Sequence, residues 1–145
     1  MKGTRRMAKL SQKDELESVV RRVLRILKAG NAGAGVFLLL GGEMKRLKEK
    51  TTGKSARKTP DVLSFVNPED FPHPEEKGKI LGEIYVNSEV ARRDPARASF
   101  LAIHGLLHLL GYSHSRKSDT LKMEKLESKL MRKLKISNSE RFTRN

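Results

Sequence analysis

The chain has 145 residues, the length of one domain, and its 37% apolar and 5% aromatic content supports one modest core beneath a surface rich in charge. Lysine and arginine number 31 against 17 acidic residues, and the resulting net charge of +14 fits a polyanionic partner such as nucleic acid or an anionic membrane surface. Cysteine is absent, which excludes disulfides, thiolate catalysis, iron–sulfur clusters and cysteine-ligated zinc, so any metal must sit on His, Asp or Glu.

Ser11-Gln12-Lys13-Asp14 has the character of a helix cap, and Leu16, Val19, Val20, Val23, Leu24 and Leu27 follow helical spacing up to Gly30. A small-residue turn at 29–35 leads into a short apolar run at 36–40, read as a buried strand. Residues 43–50 read as a helix, 51–60 as a mobile basic loop, 61–66 as a strand, and 67–79 as a long loop broken by Pro68, Pro72 and Pro74. Residues 80–87 form a third strand candidate. Asp94-Pro95 is a cap and first-turn pair that introduces a helix running to Leu110, where Gly111 can close it. Ser118-Asp119 opens a last helix with Met123, Leu126, Leu130 and Leu134 on one apolar face and basic residues elsewhere. This order predicts a single α+β domain, a small mixed sheet covered by helices, with flexible tails at 1–10 and 137–145. No apolar run approaches the roughly 18 to 20 residues that span a bilayer, and no apolar signal segment follows the basic start, so a cytoplasmic location without membrane association is expected.

The positive charge is unevenly placed. Residues 1–42, 43–61 and 115–145 carry +6, +4 and +6, whereas 62–114 carry −2. Near-neutral chemistry in the middle, flanked by electropositive surfaces, suits phosphate-backbone contacts that fall off with added salt. The low aromatic content argues against a base-stacking platform and predicts weak sequence specificity.

Three of the four histidines fall within eleven residues, His104-Gly105-Leu106-Leu107-His108-Leu109-Leu110-Gly111-Tyr112-Ser113-His114. His104 and His108, at i and i+4, share one helix face, and a turn at Gly111 can bring His114 back over it. Three imidazoles leave an open position on a tetrahedral metal, the arrangement of catalytic rather than structural zinc. His73, between two prolines, reads as a solvent-exposed loop residue and is not counted as a ligand. Gly105 stands where H-E-x-x-H proteases carry their glutamate base, which disfavours peptide hydrolysis by that route and leaves room above the metal.

Residues 104–114 closely resemble the H-G-x-L-H-L-x-G-Y-D-H signature of the YbeY family, bacterial metal-dependent endoribonucleases of rRNA maturation. Asp61-Val62-Leu63-Ser64-Phe65 resembles that family's T-D-V-L-S-F segment, and Leu81-Gly82-Glu83-Ile84 its L-G-D-I strand. The resemblance covers roughly residues 12–135. It implies one metal ion, Zn²⁺ or another divalent metal, on His104, His108 and His114, and RNA as substrate, with rRNA and the small ribosomal subunit as partners. Ser113 replaces the family's Asp, Pro60 its Thr and Val66 its Pro, and the strand that opens the family is not evident in residues 1–10. The family arginine seven residues before the Asp of its strand corresponds to Lys54, with Arg57 nearby. One or the other is the candidate catalytic cation, stabilising charge on the phosphoryl transition state. The rival reading is a non-catalytic basic rRNA-binding assembly factor with a structural metal.

Overall fold

In the computed structural model, residues 11–68 and 79–136 are described. The tails expected at 1–10 and 137–145, and most of the loop that carries His73, lie outside them. Within them the chain forms five helices and three strands: α1 (Gln12–Ile26), β1 (Gly33–Leu39), α2 (Gly41–Thr52), β2 (Val62–Val66), β3 (Ile80–Asn87), α3 (Ser88–Arg93), α4 (Pro95–Leu109) and α5 (Lys117–Lys133).

Side-chain caps set several of these boundaries. The Ser11 hydroxyl accepts from the Asp14 amide and starts α1, whose Leu16, Val19, Val20, Val23 and Leu24 are buried. The Asp94 carboxylate accepts from the Arg97 amide and Pro95 occupies the first turn of α4. Thr51 and Thr52, expected in the loop, close α2 instead, ahead of Gly53 at φ 74°. The short α3 falls outside the sequence expectation; the Asn87 side chain caps it by accepting from the Glu89 amide.

β3 is the central strand, parallel to β1 and antiparallel to β2, which makes the sheet mixed as expected. β1 starts three residues before the apolar run because its glycine-containing segment pairs with the start of β3, Gly33 opposite Ile80. Ile84 and Val86 of β3 are fully buried together with Ile103, Leu106 and Leu107 of α4, and α4 also packs on α1, β2 and α5. Gly105 explains how closely α4 lies on the sheet, since a Cβ there would sit 2.9 Å from Cγ2 of Ile84. The glycine therefore faces β3 and does not open space above the histidines.

Candidate metal centre

α4 presents His104 and His108 one turn apart on one face, as their spacing predicts. The helix ends where the Gly111 amide donates to the His108 carbonyl and the Tyr112 amide to the Leu107 carbonyl, with Gly111 at φ 107°. That reversal returns the chain over the helix end. Nε2 of His104 lies 3.2 Å from Nε2 of His108 and 3.4 Å from Nε2 of His114, and the three ligand atoms lie within 4.8 Å of one another.

The outer nitrogens decide what these contacts mean. Nδ1 of His104 is 2.6 Å from Oε2 of Glu127, and Nδ1 of His108 is 3.0 Å from the Tyr112 carbonyl oxygen. Both partners are acceptors, so each Nδ1 is the donor, and in the neutral form of either ring the Nε2 facing the other carries a lone pair. Two lone pairs at 3.2 Å repel unless a cation lies between them. A tetrahedral centre with metal–nitrogen bonds of about 2.0–2.1 Å spaces its nitrogens about 3.3 Å apart, so the donor set fits a divalent metal ion. Burial is the main cause that pushes the His108 pKa down, with the nearby His104 and His114 acting in the same direction against the Tyr112 hydrogen bond and Glu127. A neutral imidazole is the form a metal needs.

Glu127, in the middle of α5, is only 4% exposed. Helical spacing in the sequence assigns Leu126 to that apolar face and gives Glu127 no role. Its position, four residues after Met123 and three before Leu130, puts a carboxylate among core residues, and that was the available signal. Ser113, which stands where the family signature has Asp, places its hydroxyl 3.2 Å from that of Ser115. Lys54 and Arg57 are exposed on the loop after α2 and line a hollow of about 390 Å³ with Lys48 and Lys58. The cations that share a groove with the histidines are Arg97, Lys125, Lys129 and Arg132.

The comparisons with known proteins agree with this motif. The profile described as Endoribonuclease YbeY matches residues 3–135. The chain belongs to the YbeY family. Among curated YbeY relatives, the Endoribonuclease YbeY of Roseiflexus sp. (strain RS-1) is 31% identical over 124 residues, covering 77% of this chain and 76% of that protein. That of Ruthia magnifica is 29% identical over 132 residues, covering 86% and 88%. A solution structure of a Thermotoga maritima protein is similar with a TM-score of 0.49 and 23% identity, covering 89% of each chain. No helix among the described residues is long and apolar enough to cross a membrane.

Proposed function

We propose that the protein is a metal-dependent endoribonuclease that cuts single-stranded regions of RNA, with rRNA precursors of the small ribosomal subunit as its cytoplasmic substrate and Zn²⁺ on His104, His108 and His114. The observation that carries this reading is the convergence of the three imidazoles, two of them with a bare Nε2 turned inward and the outer nitrogen held by Glu127 or the Tyr112 carbonyl. Family membership supports the choice of RNA, as relatives bear the name Endoribonuclease YbeY. When bound, a zinc ion supplies Lewis acidity and makes water a nucleophile at neutral pH.

The chain's own residues supply the rest. The histidines leave one side of the centre open for a phosphodiester, and Glu127 and the Tyr112 carbonyl keep two of the rings from turning away. The family resemblance names Lys54 or Arg57 for neutralising charge on the scissile phosphate, although both line a hollow that holds none of the three histidines; removing one well-placed donor in such a role costs about 10² to 10³ in kcat. The Lys54→Ala, Arg57→Ala and double variants separate the two; unchanged turnover in all three removes both from the mechanism.

The deciding experiment measures metal content and cleavage of single-stranded RNA for the wild type and for His108→Ala in parallel. Near-stoichiometric metal and cleavage in the wild type, both lost in the variant, are expected. Full metal content with no cleavage of any RNA would overturn the enzymatic reading in favour of a structural metal in an RNA-binding assembly factor.

A further inference from the structure

A groove of about 630 Å³ runs between α4 and α5 and begins at the histidines, with His104, His114 and Glu127 in its lining. Its apolar surface comes from Val62 of β2, Phe100 of α4 and Leu121 of α5, the last 51% exposed. Lys125, Lys129 and Arg132, all exposed, follow Leu121 on the same face of α5, spaced four and then three residues apart. None of these three has an ion-pair partner among the described residues.

We propose that this groove is the track for the RNA strand on one side of the scissile bond, with bases against Val62, Phe100 and Leu121 and backbone phosphates against Lys125, Lys129 and Arg132. The inference rests on the nuclease reading of the histidine centre and extends it by placing the substrate. The seven-residue separation of Lys125 and Arg132 spans about 10 Å of helix axis, which suits successive phosphates of a strand and is too long for one phosphate group. Apolar and cationic side chains interleaved along one groove match a single strand, whose bases are free to leave the backbone, better than a duplex, whose bases are stacked inside. Glu124 and Glu127 also line the groove, but Glu127 is committed to His104, so the cations outweigh the remaining acid. Contacts of this kind give affinity with little sequence preference.

The test uses the full chain, a fluorescently labelled single-stranded 2′-O-methyl oligoribonucleotide as probe, and two triple variants that each remove three positive charges. Lys125→Ala/Lys129→Ala/Arg132→Ala alters the groove, whereas Arg21→Ala/Arg25→Ala/Arg92→Ala alters exposed positions on α1 and α3. The groove variant is expected to bind at least tenfold more weakly, and its slope of log Kd against log salt falls by about 2, since each phosphate contact on a single strand contributes about 0.7. Its KM for RNA rises with kcat little changed, and its metal content stays at the wild-type level. The reference variant shifts Kd by less than threefold. Equal weakening in the two variants, or an unchanged groove variant that still cuts RNA with wild-type KM, overturns the proposal and leaves the nuclease reading intact. A groove variant that binds more weakly, beside a wild type that binds but cuts no RNA, supports the track and overturns the nuclease reading instead.

Discussion

Nδ1 of His104 and Oε2 of Glu127 lie 2.6 Å apart although 23 residues separate them in the chain. This contact ties α5 to the metal centre on α4 and sets which nitrogen of His104 faces inward. A carboxylate on the outer nitrogen of a metal-binding histidine holds the ring and raises its basicity, and loss of such a partner usually costs about 10- to 100-fold in metal affinity. Glu127→Gln keeps an acceptor but removes the charge, and Glu127→Ala removes both, so competition against a chelator should show weakening in the first variant and greater weakening in the second. Nitrogen NMR of the metal-free protein at neutral pH should find His104 protonated at Nδ1 in the wild type and a mixture of tautomers in Glu127→Ala. An unchanged metal dissociation constant in both variants would reduce Glu127 to a packing residue.

Gly105→Ala tests how α4 seats on the sheet. The new methyl would lie 2.9 Å from Cγ2 of Ile84, a stiff β-branched side chain that is itself fully buried. Overpacking of this kind costs about 1–3 kcal/mol. Alanine returns up to about 1 kcal/mol as the better helix former. A net loss of about 1 kcal/mol in urea unfolding is therefore expected, and a more stable variant would show that α4 has slack against β3.

Gly111 probes the same helix from its end. At φ 107° it occupies backbone space that suits glycine, yet an added Cβ meets nothing within 4 Å. Any effect of Gly111→Ala therefore comes from backbone strain, about 1–3 kcal/mol, which the chain can relieve by moving His114. Lower stability together with weaker metal binding is expected, with His104 and His108 still on their helix. Wild-type metal affinity in a destabilised variant would show that the position of His114 does not depend on this turn.

Much of the architecture was legible because it is written in local signals. The cap at Asp94, the bounds of β3 and the i, i+4 histidine pair each depend on residues within a turn or a strand of one another, and all three appear in the structure. What escaped depends on distance or on brevity. Glu127 is tolerable on the apolar face of α5 because His104 receives it, and no pattern within α5 names that partner. The sequence alone suggests room above a metal at Gly105, because its sheet-facing neighbour, Ile84, belongs to a strand 21 residues earlier. α3 has six residues, too few to establish a helical period, and only its Asn87 cap announced it.

Tyr85 supplies a pH test at a distance from the histidines. It is the middle of three aromatic residues on one face of the sheet, its ring centroid 5.2 Å from that of Phe37 on β1 and 5.8 Å from that of Phe65 on β2. Partial burial pushes its pKa from 10.0 up to about 12, and the Glu83 carboxylate, which accepts a 2.8 Å hydrogen bond from the phenol, pushes the same way. Because the folded value lies above the unfolded one, the folded chain holds a proton in that interval that the unfolded chain has lost. Stability from this group is thus fully present below about pH 10 and declines as pH rises toward 12. In a Tyr112→Phe background, where Tyr85 is the one tyrosine left, ultraviolet absorbance should place its ionisation well above 10.0. Glu83→Gln should lower that midpoint without returning it to 10.0, since burial is the larger cause. A midpoint at 10.0 in the folded protein would mean that the ring is open to water and the aromatic row loosely packed.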